Sequence, residues 1–490
     1  MGLPVGICAL PLAFSAKLCF NDFPVRKKRQ RRLRAGRRNA RGDNIMAKNA
    51  IQISDHFTMA RLLRFTFPSV VMLVFTSVYS VVDGFFVSNC TGKTAFAAVN
   101  FIMPLLMLLG GAGFLFGTGG GALIAKMLGE GDQKKANETF SLVVYAAAFC
   151  GAVIAVVSVA VLPAVVSLLG AAGELGENSV RYGRIVCATL PLYIIQYEFQ
   201  CLFAVAGKTK FGLFVTVATG CTNMALDALF VAGFGWGLEG AAIATAVAQG
   251  VGGIVPIVYF SRKNSSSLRL GACRLDFSAL LKTVTNGSSE LVTSVSTSVV
   301  GMLYNVQLLK YAGENGVAAY GVLMYVGFIF NAIFIGYSVG VAPIVGFHFG
   351  ARNHEELRGL RRKSLAVVAV CAVCMFAAGR VFARSLAGIF VGYDAALLEQ
   401  TVRAFGIFAF SFLLSGFSIF GSSFFTALND GLTSALISFL RTFIFQCAAV
   451  LLLPLLLGTD GIWLSCPAAE LASAVASAVF LAAKRRRYGY

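Results

Sequence analysis

The apolar positions of the chain fall into long runs that short polar segments separate. Several runs continue for more than 18 residues with almost no charged side chain, which is the pattern of a helix that crosses a bilayer. Alternation with a period of two, which would indicate a membrane β-barrel, is absent. The pattern predicts twelve spanning helices, at about 62–88, 97–125, 138–168, 180–206, 212–234, 239–261, 283–309, 318–347, 364–390, 401–427, 432–457 and 461–483.

The composition favours the same class of protein. Of the 490 residues, 57% are hydrophobic and only 13% are charged, and the mean hydropathy is +0.78. A soluble domain is near one quarter charged, so this chain lacks the polar residues that would cover its apolar ones in water. We therefore expect an all-α integral membrane protein that contacts membrane lipid.

The two halves of the chain repeat one another at an offset of 221 residues. Six positions are identical in an alignment without gaps: Gly92/Gly313, Ala97/Ala318, Ala98/Ala319, Met103/Met324, Gly119/Gly340 and Gly129/Gly350. The same offset later places Gly240 on Gly461. Because each unit holds six spans, the halves are parallel repeats about an axis along the membrane normal. We predict two pseudo-symmetric six-helix bundles, an N-lobe at 46–262 and a C-lobe at 283–490, joined by a cytoplasmic linker at 263–282.

The basic residues predict the orientation of the spans. Of the 30 Lys and Arg beyond residue 45, 22 fall on one side of the predicted topology and seven on the other, while Arg441 lies within a span. Cytoplasmic loops carry the excess of Lys and Arg, so both termini are expected in the cytoplasm. The chain is thus predicted to be a multi-pass protein of the inner or plasma membrane, and to act as a monomer.

Residues 1–45 differ from the rest of the chain. They hold eleven Lys and Arg against two Asp, and the run RKKRQRRLRAGRRNAR has the composition of a patch for nucleic acid or anionic lipid. We interpret the segment instead as a disordered basic extension, with Met46 as an alternative native start. No nucleic-acid partner is expected.

A few polar residues lie within the predicted spans. The acidic ones are Asp83, Glu198, Asp227, Glu290 and Glu470. A charge near the bilayer centre costs about 2.5–3.5 kcal/mol on the insertion scale, so these residues are functional candidates. Asn223 and Asp227 are four apart and share one helix face. Asp227 and Thr245 lie nine residues before and after Trp236 in the glycine-rich outer turn, which places both about 10–14 Å from that turn.

Asp83 reaches a similar depth, so four oxygen-bearing side chains converge there: Asp83, Asn223, Asp227 and Thr245. Such oxygens suit a Na⁺ ion, or a carboxylate pair that shares a proton. At an offset of 221 the C-lobe has Tyr304, Ile444, Ala448 and Cys466 instead. A packing role common to both lobes would have left polar residues there, so we favour a site for a coupling cation or proton. The alternative is a structural hydrogen-bond cluster that joins three helices.

Glu290 and Glu198 are candidates for a second acidic site. Glu290 lies about two turns into the seventh span, where it can bind a coupling ion or a substrate cation, or extend to the interface. Arg441 needs a partner, for which Glu198 and Glu470 are both candidates. Pro68, fifteen residues before Asp83, is a candidate bend in the first helix.

The sequence shows no pattern of an enzyme or of a resident cofactor. Cys371 and Cys374 form a CxxC inside an apolar span and are interpreted as small core residues. The three histidines lack metal-ligand spacing, and neither a Walker loop nor a dinucleotide fingerprint is present. We therefore expect a protein without a catalytic site.

Several stretches resemble the multidrug and toxic compound extrusion (MATE) transporters. They are FPSVVMLVFTSVYSVVDGFFVSN, AFAAVNFIMPLLMLLGGAGFLFGTGGGALIAKMLGEGDQKKA, TNMALDALF, GLEGAAIAT and GTDGIWLSCPAAE, and they extend from about residue 57 to the C-terminus. NGSSELV and GENGVAAYGV are similar to a bacterial subgroup. The resemblance implies an N-lobe cation site at Asp83, Asn223, Asp227 and Thr245, and a first helix that bends at Pro68. Of the C-lobe acids that some members use, only Glu290 is evident here.

The resemblance also implies a secondary antiporter that exports organic cations in exchange for H⁺ or Na⁺ by alternating access of the two lobes. Either ion suits these residues, and no other cofactor is implied. A lipid or lipid-linked oligosaccharide flippase of the same superfamily is an alternative, but it needs a cationic cavity, and only Arg441 is clearly intramembrane. A membrane-embedded enzyme is an alternative of another class, which would need a nucleophile or a metal cluster.

Overall fold

The described part of the chain consists of helices joined by loops. The structure, a computed structural model, describes residues 51–91, 93–171, 173–392 and 394–490, so the predicted extension at 1–45 lies outside the described residues. Eleven of the described helices are long and apolar enough to cross a membrane, and a pair of helices bent by 60° forms a further span. The predicted number and order of the spans are confirmed.

Six spans form the N-lobe. They are α1 Met59–Cys90, α2 Lys93–Gly129, α3 Gln133–Leu168, α4 (the bent pair Gly173–Ala188 and Leu190–Val205), α5 Thr209–Gly233 and α6 Gly237–Ser261. The span predicted at 180–206 is therefore broken, and the break falls at Thr189. Pro191 explains it, because proline lacks the N–H of a continuous helix and its ring crowds the preceding turn.

Six spans form the C-lobe. They are α7 Phe277–Gly313, α8 Asn315–Gly350, α9 His354–Val381, α10 Ala395–Ala427, α11 Gly431–Leu457 and α12 Thr459–Ala483. The chain turns between α7 and α8 at Gly313, whose φ of 64° lies in the left-handed region that glycine tolerates. The helix α9 ends at Val381, inside the span predicted at 364–390, and a separate short helix, Ala383–Val391, follows it. The helix α7 begins inside the segment predicted as linker, 263–282.

The lobes meet where α2 packs on α7 and α8, backbone against backbone. A Cβ on Gly129 would overlap the carbonyl oxygen of Phe347, and a Cβ on Gly350 would overlap that of Lys126. A Cβ on Gly119 would likewise overlap the carbonyl oxygen of Thr283. These contacts lie towards one end of the molecule, which we call the basic end; it holds the loops at 130–132, 206–208, 262–276, 351–353 and 428–430.

A second connection between the lobes, the Phe57 clasp, lies at the basic end just before α1. Phe57 is fully buried, and its backbone N–H donates to Glu356 Oε1 at 2.9 Å. Lys363 donates to the carbonyl oxygen of Phe57, and His56 Nδ1 lies 2.6 Å from Glu356 Oε2. Because Glu356 and Lys363 belong to α9, the start of the N-lobe is attached to the C-lobe.

The C-terminal segment is tied to the loop between α10 and α11, also at the basic end. Asp430 caps α11 by accepting from the Thr433 N–H at 3.3 Å. Its Oδ2 also accepts from Lys484 Nζ at 2.7 Å and from the Tyr488 hydroxyl at 2.8 Å. Burial alone would raise the pKa of Asp430, but these hydrogen bonds outweigh it and hold the pKa below its usual value.

Candidate functional site

The four N-lobe residues that depth and spacing single out lie together inside that lobe. Asp227 is fully buried, Asn223 and Asp83 are nearly so, and Thr245 is partly buried. The Asp83 carboxyl group is close enough to interact with both Asp227 and Asn223. Asn223 Nδ2 lies 3.5 Å from Thr245 Oγ1, a long hydrogen bond. The structure thus joins α1, α5 and α6 through one polar cluster.

Most oxygens of this cluster have no hydrogen-bond partner within the described residues. The unpartnered buried atoms include Asp83 Oδ1, Asn223 Oδ1 and both carboxylate oxygens of Asp227. Buried polar groups are normally paired, so such a concentration indicates a bound ion, a water molecule or a proton. A proton shared by two carboxyl groups, or a Na⁺ ion among their oxygens, would satisfy it. A purely structural hydrogen-bond cluster would be expected to use these acceptors itself.

A small cavity opens beside the cluster, and sequence reasoning missed part of its lining. This N-lobe cavity has a volume of about 70 Å³, and Asp83, Asn223 and Thr245 line it. The missed lining residues are Tyr79, Tyr182, Tyr193, Gln196 and Tyr197. Tyr193 and Tyr197 are four residues apart, and their hydroxyls lie 3.2 Å from each other. The sequence shows this spacing, which places both side chains on one helix face.

The helix that carries Asp227 changes form at that residue. The α-helical part of α5 ends at Asp227, and residues Ala228–Gly233 form a π-helical turn. Such turns insert an extra residue into a helix and are frequent at functional sites. Here the turn redirects the chain just beyond the carboxylate.

The corresponding C-lobe positions show a different arrangement. The Tyr304 hydroxyl donates to Gln446 Oε1 at 2.9 Å, and Gln446 Nε2 lies 3.8 Å from Cys466 Sγ. Tyr304 and Cys466 correspond to Asp83 and Thr245 at the offset of 221. Both contact the amide group of Gln446, whereas the N-lobe cluster leaves most of its acceptors without a partner among the described residues.

A second cavity, the inter-lobe cavity, lies between the two bundles and has a volume of about 100 Å³. Both Glu290 of α7 and Arg441 of α11 line it, together with hydroxyl-bearing side chains of α2, α7, α8, α10 and α11. Glu290 forms no ion pair with any described residue. The candidate second acid thus faces a space that both lobes enclose.

Arg441 is paired with Glu470, one of its two candidate partners. Arg441 Nε lies 3.1 Å from each carboxylate oxygen of Glu470, and Arg441 Nη2 lies 3.0 Å from Glu470 Oε1. Glu198, the other candidate, is fully buried, and both of its carboxylate oxygens lack a hydrogen-bond partner among the described residues. Glu198 lines neither of the two cavities.

Pro68 lies inside α1, and the helix continues through it without interruption from Met59 to Cys90. The bend predicted there stays a prediction.

The described residues contain no cluster of three or more His, Cys, Asp and Glu side chains that could hold a metal ion. A cation in the N-lobe would therefore depend on two carboxylates with amide and hydroxyl oxygens.

Comparison with known proteins agrees with this architecture. The sequence matches the MatE family model over residues 68–229 and 291–450, one range in each lobe. It is 24% identical over 406 residues to the multidrug export protein MepA of Staphylococcus saprophyticus, a match that covers 82% of this chain and 87% of the relative.

Solved structures have the same fold. An outward-facing multidrug resistance MATE transporter of the MOP superfamily superposes with a TM-score of 0.84 at 20% identity, covering 90% of this chain and 98% of its own. A MOP superfamily transporter from Pyrococcus furiosus, described with a binding pocket of reverse polarity, superposes with a TM-score of 0.83 at 18% identity, covering 90% and 99%. The arrangement of twelve spans in two lobes is that of these transporters.

Proposed function

The chain belongs to the MatE family of transporters, and from this premise we propose that it exports organic cations from the cytoplasm in exchange for H⁺ or Na⁺. The similarity to a multidrug export protein supports the export of drugs. It acts as a monomer without a further cofactor, since one chain encloses both cavities. It is not an enzyme.

The membrane orientation is part of the proposal. The basic end faces the cytoplasm, in keeping with the excess of Lys and Arg there, and both termini lie on that side. The backbone contacts of Gly119, Gly129 and Gly350 close the lobes at this end. The structure then corresponds to the state in which cargo leaves outward.

The observation that carries the proposal is that the protein has acidic residues at two separate sites. The N-lobe cluster holds unpartnered carboxylate oxygens away from the inter-lobe cavity, and Glu290 faces that cavity without an ion pair. We assign the coupling ion to Asp83, Asn223, Asp227 and Thr245. We assign the cationic group of the cargo to Glu290, with Glu198 as a buried carboxyl group that neither ligand reaches in this state.

The coupling follows from the charges. A proton or a Na⁺ ion that enters at Asp83 and Asp227 removes negative charge from the N-lobe, and the attraction for a cationic cargo falls. Cargo leaves outward, and the loaded lobe then permits the return to the inward-facing state. One charge that moves inward across 100 mV supplies about 2.3 kcal/mol. A cargo with one positive charge that leaves in exchange costs the same amount, so in a one-for-one exchange the concentration gradient of the coupling ion drives the export.

The flippase alternative requires a cationic cavity for a pyrophosphate. The inter-lobe cavity contains Arg441, but Glu470 already offsets its charge, and Glu290 lines the same cavity. This balance supports a cationic cargo over a polyphosphate.

The test is flux in proteoliposomes of purified protein with one gradient imposed at a time. We expect ethidium to move against its own gradient when either a proton gradient or a Na⁺ gradient is present, and an uncoupler to stop the proton-driven flux. Empty liposomes and the Asp227→Asn variant are the controls. Ethidium flux that neither gradient drives would rule out the antiport.

A further inference from the structure

Arg441 has donor groups that its partner leaves unused. Its guanidinium carries five N–H donors, and Glu470 contacts only the Nε and Nη2 side. Arg441 Nη1 makes no hydrogen bond within the described residues. The side chain is 16% exposed and lines the inter-lobe cavity. A charged donor therefore faces the space that receives the cargo.

Hydroxyl groups line the same cavity as this donor. Ser422 Oγ lies 2.8 Å from Ser434 Oγ and 2.9 Å from Ser438 Oγ, and Thr426 Oγ1 lies 2.6 Å from Ser434 Oγ. Ser422, Thr426 and Ser438 line the cavity beside Arg441. An arginine and several hydroxyls that line one cavity can bind a carboxylate, because charged N–H donors and neutral O–H donors together replace its water.

The local fold presents Arg441 to this cavity. Arg441 lies on a π-helical turn, Leu440–Ile444, within α11. The other π-helical turn of the described chain, Ala228–Gly233, directly follows Asp227. Both turns thus lie beside a charged side chain in the matching helix of each lobe, although they are not at the offset of 221.

The cavity contains one acid and one base that do not pair with each other. Glu290 and Arg441 line the same space, and no ion pair joins them. A cargo with a single positive charge would use Glu290 and would leave the free Nη1 donor of Arg441 without a partner. A cargo with a cationic and an anionic group would use both. The volume of about 100 Å³ suits the charged groups of a cargo and not a whole dye molecule.

We propose that Arg441, with the hydroxyls of Ser422 and Ser438, is a subsite for the carboxylate of a zwitterionic cargo, whose cationic group binds at Glu290. This inference rests on the proposed export function, because a cargo subsite has a role only in a transporter. Its chemistry concerns binding alone, so it is tested without a gradient.

The test uses two fluorescent dyes that differ at one group. Rhodamine 110 has a free carboxyl group beside its cationic ring system, and rhodamine 123 is its methyl ester. Equilibrium binding of each dye to the purified full chain is measured by fluorescence anisotropy. We expect wild type to bind rhodamine 110 at least as tightly as rhodamine 123. Arg441→Met should weaken rhodamine 110 about tenfold or more and rhodamine 123 less than about threefold.

A second variant separates the subsite from a structural ion pair. Glu470→Gln keeps the guanidinium and frees it from its partner, so rhodamine 110 binding should be retained or tightened. If Arg441 only holds α11 to α12, then Arg441→Met and Glu470→Gln weaken both dyes alike, and that result overturns the subsite. A wild type that binds the ester and not the acid overturns it too. The selective binding pattern without gradient-driven flux would support the subsite while contradicting the antiport.

Discussion

Gly129 and Gly350 make the same contact across the lobe interface, each from its own side. Gly129 lies against the carbonyl oxygen of Phe347, and Gly350 lies against that of Lys126. Each residue of one contact is 221 positions from its counterpart in the other, which is the offset of the sequence repeat. The contact is therefore pseudo-symmetric, and because it joins backbone to backbone, no side chain can move aside to make room.

A large side chain at this contact should keep the basic end from closing. We expect Gly350→Leu to lower gradient-driven efflux about tenfold or more at equal protein level, since overpacking a tight contact costs about 1–3 kcal/mol. Efflux in proteoliposomes measures the effect. Gly301→Leu in α7 is the control, because nothing lies within 4 Å of a Cβ there. Equal losses in both variants would show that the contact has no special role.

The N-lobe cluster should respond to amide substitution as a unit. Asp227→Asn imitates a permanently neutral carboxyl group, so the protein should fold and bind dye but lose gradient-driven efflux. Asp83→Asn should behave alike, and the double variant should be little worse than either, because both changes break one site. Ala448→Asp, at the C-lobe counterpart, should not restore efflux, because none of the partner residues is there. Glu239→Gln is the control, since that acid is exposed and pairs with Arg181. Wild-type efflux from Asp227→Asn would leave the structural cluster as the better account.

Glu290 and Glu198, the two candidates for a second acidic site, should differ in their effect on dye binding. Glu290 lines the inter-lobe cavity, so Glu290→Gln should weaken binding of a cationic dye about tenfold. Glu198 is fully buried and lines neither cavity, so Glu198→Gln, which has the same shape, should change dye binding less than about threefold. Anisotropy titrations at equal protein level compare them. The assignment of cargo to Glu290 fails if the two variants lose binding equally.

Asp430 should stabilise the folded protein in a pH-dependent way. Asp430→Asn keeps the helix cap but loses the charge that Lys484 contacts, and we expect its Tm in detergent to fall by roughly 2–4 °C at neutral pH. Because the pKa of Asp430 is lowered in the folded state, its contribution is present above the ordinary value of 3.8 and is lost as the pH falls through the lower pKa. The difference in Tm between variant and wild type should therefore vanish in strong acid.

Asp132→Asn is the matched control for Asp430. Asp132 caps α3 in the same way, by accepting from the Lys135 N–H at 3.0 Å, but no ion pair in the described chain involves it. Its replacement should leave Tm nearly unchanged. A fall in Tm equal to that of Asp430→Asn would assign the effect to the cap and not to the charge.

Much of this architecture could be predicted from sequence because the bilayer imposes simple rules. Spans must be long and apolar, and a repeat offset needs only a few glycines to be visible. The proximity of Asp83, Asn223, Asp227 and Thr245 followed from helical rise measured from shared turns. For these residues, the number of residues from the turn gives the depth in the membrane directly.

Other features depend on local departures from regular helices. Tyr182 and Gln196 lie on the two parts of the bent α4, so a straight helix gives their directions wrongly. Arg441 is seventeen residues before Gly458 and Glu470 twelve after it, which a simple count places at different depths. The π-helical turn and the length of the arginine side chain bring the two together. A hydropathy pattern contains no signal for either effect.

We expect the Phe57 clasp to favour one state of the proposed transport cycle. To face inward, the lobes must separate at the basic end, and that movement strains or breaks the hydrogen bonds of Phe57 with Glu356 and Lys363. Opening at the other end leaves them intact. If the basic end faces the cytoplasm, as we propose, the clasp keeps the inter-lobe cavity closed to the cytoplasm while no gradient is present, and exported cargo does not return through it.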